Sequence, residues 1–165
     1  MTKSSTDAEQ GFLRAAIELA RDNVAQGGRP FGAVVVKDGA IVAVGVNEIL
    51  ATNDPTAHAE LGAIRAAARR LATPDLSGCT VYASGHPCPM CMAAMRMAGI
   101  GAVAYAYSNE DGEPFGLSTA AVQAAILADL GRPAGEQAMA VRHRPVDGAE
   151  RPDIYAEWQR RRDLA

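Results

Sequence analysis

The chain has 165 residues and a net charge of −3, with 48% hydrophobic and 21% charged residues, the proportions of one soluble globular domain. They exclude a disordered chain, a collagen and a disulfide-dependent mini-protein, because a chain of this size buries a sizeable core without staples. The pI near 5.6 excludes a chain-wide basic footprint for nucleic acid and leaves only a local one open.

Residues 1–10 are polar, without the apolar stretch of a signal peptide. No apolar run approaches the roughly 18 residues that cross a membrane. The expected location is the cytoplasm, where thiols stay reduced. Residues 10–26 carry Phe12, Leu13, Ala16, Ile17, Leu19, Ala20 and Val24 at helical spacing, and Gly27-Gly28 ends that helix. Val34-Val35-Val36 and Ile41-Val42-Ala43-Val44 flank Asp38-Gly39, the signature of a β-hairpin. A second helix is expected from near Ala57 through Arg70, entered by the loop Asn53-Asp54-Pro55-Thr56. Then come a strand over 79–83, a helix over 88–98 opened by Pro87, and a strand over 102–107. A helix over 118–130 ends at Gly131 and Pro133, before a fifth strand over 138–144 and a last helix over 152–164.

Strands alternating with helices imply an α/β fold with a mostly parallel sheet covered on both faces, made mixed by the hairpin. The expectation is a three-layer α/β/α sandwich in one domain, with a five-stranded mixed sheet. The helix between the last two strands makes those two parallel.

The chemistry concentrates in His58-Ala59-Glu60 and Pro87-Cys88-Pro89-Met90-Cys91. Parallel strands that set the two helices side by side bring His58, Cys88 and Cys91 together. One imidazole and two thiolates are three protein ligands with a fourth tetrahedral position open, the pattern of catalytic zinc. Helix N-termini lower thiol pKa values and help supply the thiolates. Glu60 can accept the proton of a water bound at the open position and deliver it elsewhere. His-x-Glu followed by Pro-Cys-x-x-Cys is the pattern of zinc nucleobase deaminases. A redox Cys-x-x-Cys pair and a structural zinc site are the competing readings. The latter lacks a fourth ligand, since neither His86 nor His143 has the spacing. Cys79 and the methionines between Met90 and Met97 read as core.

With these residues the sequence resembles the cytidine deaminase-like superfamily, and within it looks most like the bacterial guanine deaminases. The resemblance is carried by Pro30 to Val36, Asn47, Asn53 to Glu60, Ala63-Ile64-Arg65, Pro87 to Cys91 and the stretch after Tyr105. It implies one zinc ion per subunit, held by His58, Cys88 and Cys91, with water as fourth ligand. It also implies hydrolytic deamination of a free nucleobase, guanine to xanthine and ammonia, with Glu60 as proton shuttle. Asn47 matches an amide that bonds the base, Phe31 a ring lining the pocket, and Ala59 a position against the substrate. Asp111 matches a second catalytic acid, with Glu113 a neighbouring candidate. Tyr155 and Trp158 match aromatics in a C-terminal segment, residues 150–165, exchanged between the subunits of a homodimer. Blander roles stand beside these: turn chemistry for Asn47 and Asp111, core packing for Phe31, a surface helix for Tyr155 and Trp158. One departure stands out. The family usually carries glutamate before Pro-Cys, and this chain has His86, which exchanges an acceptor for a group that can donate.

Three rival functions follow. The same chemistry could act on isocytosine, cytosine, a triazine, a pterin or guanosine. Deamination of tRNA adenosine is disfavoured by the acidic loop Ser108 to Glu113, which repels phosphate. A zinc-stabilised interaction domain gives Glu60 no purpose.

Overall fold

The computed structural model describes residues 5–133, 135–145 and 154–163. Residues up to Leu127 form one compact unit and those from Ala128 on a second. The first opens with helix α1 (Ser5–Ala25), followed by strands β1 (Gly32–Lys37) and β2 (Ala40–Val46) and the one-turn helix α2 (Ile49–Thr52). Helix α3 (Ala59–Leu71), strand β3 (Cys79–Gly85), helix α4 (Pro89–Met97) and strand β4 (Ala102–Tyr107) follow. A short helix α5 (Asn109–Gly112) and a 3₁₀ turn (Glu113–Phe115) lead to helix α6 (Ala120–Leu130), and α7 (Ile154–Arg162) lies in the second unit. Helix α1 begins five residues before its expected start, because the polar residues 5–9 carry no apolar period. The ends of the helix expected over 152–164 lie outside the described residues.

The sheet has four strands in the order β2-β1-β3-β4. Asp38 and Gly39 both take positive φ, 50° and 76°, so the hairpin turn forms at the expected dipeptide. The expectation of a mostly parallel sheet is corrected: β1 pairs antiparallel with both β2 and β3, and only β3 with β4 is parallel. The crossover through α3 does make β2 and β3 run the same way, but β1 lies between them. The fifth strand is also corrected. Residues 138–144 form no strand and are exposed throughout. The Asp129 carboxylate takes the N–H groups of Ala138 (2.8 Å) and Met139 (3.2 Å), so these donors close a loop after α6 and are not offered to a ladder. The predicted parallel pairing of the last two strands is lost with it.

Alternation along the strands divides the core. Ala33, Val35, Val81 and Ala83 face α3 and α4 with Ala63, Ile64, Ala67, Cys91 and Met95. Val34, Val36 and Tyr82 face Phe12, Leu13 and Leu19 of α1, with the Phe12 and Tyr82 rings 5.0 Å apart. The expected α/β/α layering is therefore present, with α1 on one face and α3 and α4 on the other. Gly45 matters for the site: a Cβ there would collide with the backbone of Ala59 and Ala63. Its absence lets the first turn of α3 rest directly on β2.

Candidate metal centre and active site

The expected helix starts shift by one or two residues, and the shift is functional. Helix α3 begins at Ala59 and α4 at Pro89, so His58 and Cys88 are both N-cap residues in extended conformation, and neither side chain caps its own helix. Residues usual at N-caps spend their side chains on the free N–H groups; here both side chains are left for another partner. Pro89 at the first position of α4 suits this start, since its missing N–H would have no helical acceptor. The loop before His58 is pinned by Asp54, whose Oδ1 accepts from the N–H and the hydroxyl of Thr56, each at 2.7 Å. The Asp54 carboxyl is held below its usual range chiefly by the Thr56 hydroxyl.

His58 Nδ1 lies 3.5 Å from Cys88 Sγ and 3.6 Å from Cys91 Sγ, and the two sulfurs are 3.5 Å apart. Zinc–sulfur bonds of about 2.3 Å and zinc–nitrogen bonds of about 2.0–2.1 Å at tetrahedral angles require edges of about 3.5–3.8 Å. The three atoms thus form one face of a zinc tetrahedron. This is the one such group of His, Cys, Asp and Glu side chains among the described residues. Cys88 and Cys91 are buried, at 7% and 0% exposure, so two thiolates there need a cation. The Cys88 thiol is held down to about 4, first by its contact with Cys91 and then by His58. The Cys91 thiol is pushed up by the same contact and by burial. His58 is raised, chiefly by its contact with Cys88. Cation binding here requires both thiols and the imidazole nitrogen to give up their protons.

Glu60 is in the first turn of α3 and 7% exposed, one of three buried polar side chains among the described residues, with Asn47 and Ser84. Burial pushes its carboxyl above the usual range, as a group that takes and gives up a proton near neutrality requires.

A small cavity of about 50 Å³ opens over these groups, and its walls include Phe31, Asn47, His58, Glu60, His86 and Cys88. Six of the sequence-predicted residues are brought together here, and Cys91 lies 3.5 Å from Cys88 without lining the cavity. Asn47 ends the hairpin. Its backbone is tied to Phe31 and Asn23, and its Oδ1 accepts from Ile49 N–H at 3.3 Å, which leaves its NH₂ group for the cavity. Ala59 is buried at 1% and lines no described cavity.

Asp111 and Glu113 stand apart from this wall. Asp111 lines a larger adjoining cavity of about 490 Å³. Its carboxylate accepts from Ser108 N–H at 2.8 Å, in a capping box that starts α5. Glu113 begins the 3₁₀ turn, exposed, and lines neither cavity. Tyr155 and Trp158 are exposed on α7, at 81% and 60%, with the Arg162 guanidinium 4.9 Å over the Trp158 ring.

Sequence reasoning missed Arg29, Leu117 and Thr119, which complete the small cavity. Thr119 is fixed by Asn109, whose Oδ1 accepts from its N–H at 3.0 Å. The available signal was position, since Arg29 precedes Pro30-Phe31 and Thr119 precedes a helix.

A three-ligand metal site with a buried carboxylate beside it, on an α/β/α frame, is the make-up of a zinc-dependent hydrolytic deaminase. The chain belongs to the cytidine and deoxycytidylate deaminase zinc-binding family, whose model matches residues 6–107, more than half of its length. It is 44% identical over 127 residues to guanine deaminase of Bacillus subtilis, covering 76% of this chain and 79% of that protein. The solved structure of that enzyme superposes with a TM-score of 0.77 at 38% identity, over 94% of both chains. Guanine deaminase of Nitrosomonas europaea superposes with a TM-score of 0.63 at 31% identity, over 67% of this chain and 64% of that one. The tRNA-specific adenosine deaminase of Aquifex aeolicus is 42% identical over 89 residues, covering 54% of this chain and 59% of that protein. Among the described residues no helix is long and apolar enough to cross a membrane.

Proposed function

We propose that this deaminase converts guanine to xanthine and ammonia. The observation that carries the reading is the likeness to a guanine deaminase over 94% of both chains. The match to a tRNA adenosine deaminase covers little more than half of each protein. The acidic run Glu110-Asp111 and Glu113 further disfavours a phosphate backbone beside the site.

His58, Cys88 and Cys91 hold the zinc, which when bound supplies a Lewis-acid position that brings the pKa of water to about 7. Water adds to the ring carbon that bears the amine. The C–O bond forms, the C–N bond breaks, and two protons must move. Glu60 accepts the first from the attacking water and delivers it to the neighbouring ring nitrogen. It takes the second from the hydroxyl of the adduct and delivers it to the departing amine. Phe31 offers a ring face to the base and Asn47 an N–H donor to its edge. Asp111 or Glu113 serves as second acid only if the loop that carries them moves towards the base.

The same proposal includes a cytoplasmic homodimer in which residues 150–165 close the partner's site. What supports it is material left exposed in the single chain. Tyr155 and Trp158 are solvent-facing, and α6 presents Val122, Leu127 and Leu130 at 55%, 63% and 76% exposure. Such apolar surface is usually covered.

The test is ammonia release from guanine, guanosine, adenine, cytosine, isocytosine, ammeline and a tRNA anticodon stem, with Glu60→Ala as control. Guanine should be turned over, and the variant should keep one zinc per chain and lose activity. Turnover of another ring alone would replace the substrate assignment.

A further inference from the structure

His86 lies on the wall shared by the small cavity and the larger one. Its Nδ1 sits 3.0 Å from the carbonyl oxygen of Pro87. A carbonyl can only accept, so in the neutral ring Nδ1 carries the proton and Nε2 is a bare acceptor. The Tyr105 ring meets the imidazole edge-on, with centroids 4.6 Å apart and planes at 64°, which holds the ring in this setting. Nε2 has no hydrogen-bond partner among the described residues. No buried side-chain nitrogen or oxygen among them is left unpartnered, so Nε2 is accessible and not sealed in the core, on a residue that lines both cavities.

We infer that His86 is a specificity-determining residue that accepts a hydrogen bond from a ring N–H of the substrate through Nε2. The sequence alone suggests that histidine brings a donor to this position. The structure spends that donor on Pro87 and leaves an acceptor facing the base. Opposite in character is Asn47, whose Oδ1 is engaged by Ile49 N–H and whose NH₂ is left to donate. Beside Arg29, Glu60 and Thr119 on the same wall, His86 and Asn47 therefore add an acceptor and a donor, and the pair suits a ring that presents an N–H and a carbonyl or ring-nitrogen acceptor. The inference rests on the reading of the site as a nucleobase pocket.

Two measurements on the full-length zinc protein test it. The first is ¹⁵N NMR of the His86 imidazole at mildly alkaline pH, where a free imidazole is neutral. The expected state is protonated Nδ1 and bare Nε2, with the Nε2 resonance moving when guanine is added to a Glu60→Gln background. A protonated Nε2, or a resonance that guanine leaves unmoved, overturns the inference. The second compares His86→Phe with His86→Glu. Loss of one hydrogen bond to a neutral acceptor should raise KM for guanine about tenfold in His86→Phe with kcat little changed. His86→Glu, an acceptor, should restore KM to within about threefold of the parent, and both variants should keep one zinc. An unchanged KM in His86→Phe, or equal impairment of both variants, overturns the inference and leaves His86 as a packing partner of Tyr105. If the parent protein ignores guanine, the substrate reading fails separately, and the same two variants on the ring that it does deaminate decide the role of His86.

Discussion

The stretch from β1 to β4 and the stretch from α6 onward treat apolar residues in opposite ways. In the first, Ala33, Val34, Val35, Leu76, Val81 and Ala83 are at or near zero exposure, and the metal ligands grow out of that packed floor. In the second, no described residue from α6 to α7 is buried, although α6 reads Ala-Ala-Val-Gln-Ala-Ala-Ile-Leu-Ala-Asp-Leu. A packed core restrains side chains to narrow ranges, which is what holds three ligand atoms within 4.8 Å of one another. The later stretch carries aromatic and aliphatic groups without a floor. The homodimer proposed above would supply one.

The largest expected effect tests the floor side. Glu60→Ala should lower kcat/KM for guanine by about 10³-fold or more, the reach of one positioned proton carrier, while retaining zinc by elemental analysis. His58→Ala should lose zinc and activity together. A Glu60→Ala protein that keeps a tenth of its activity would mean that another group moves the protons, and Asp111 would be the one to examine.

Stability should divide along the same line. Leu76 is fully buried, and Leu76→Ala should cost about 2–5 kcal/mol in denaturant unfolding. Leu130 is 76% exposed, and Leu130→Ala should shift the stability of a monomer by less than about 0.5 kcal/mol. A larger loss at Leu130 that grows with protein concentration would reveal a covering subunit.

The same contrast explains what was legible in the sequence. The hairpin, α3, β3, α4 and β4 came from periodicity and turn residues because burial imposes those periods. The metal ligands and Glu60 came from spacing, because a tetrahedral site admits few arrangements. The order of strands did not. Nothing local states that β1 pairs on both sides, and crossover reasoning places β2 and β3 parallel without saying what lies between them. Residues 138–144 open on the apolar run Ala-Met-Ala-Val, which reads as a strand start, but Asp129, nine residues back in the chain from Ala138, takes two of their donors. Asp111 and Glu113 illustrate the same limit. An acid after β4 was legible, but the cap that Ser108 draws from Asp111 was not. His86 was legible as a departure from the family, whereas its tautomer depended on the position of one carbonyl.

A smaller effect probes the exposed side directly. The double change Tyr155→Ala with Trp158→Ala should leave zinc content and unfolding of the sheet unchanged, since both rings are solvent-facing. It should lower kcat/KM for guanine about tenfold, 1.4 kcal/mol of transition-state binding, if the C-terminal segment closes a site. Unchanged kinetics would make α7 a surface helix.

The smallest effect concerns a cost inside the floor. Burial holds the Glu60 carboxyl above its usual pKa in the metal-free protein, so the folded state takes up a proton more readily than the unfolded chain. A group raised in this way favours folding below its unfolded pKa and loses that contribution as pH rises through the folded value. At neutral pH the charged carboxylate is therefore a burden on the fold, one accepted because proton transfer needs it. Glu60→Gln removes the charge and keeps the shape. In chelator-treated protein it should raise unfolding stability at pH 7 by on the order of 1 kcal/mol, with the gain fading as pH falls through the raised folded pKa to the ordinary carboxylate value, while activity of the zinc form is lost. A gain that persisted at low pH would trace to packing and not to charge, and would separate the cost of the active site from the cost of its burial.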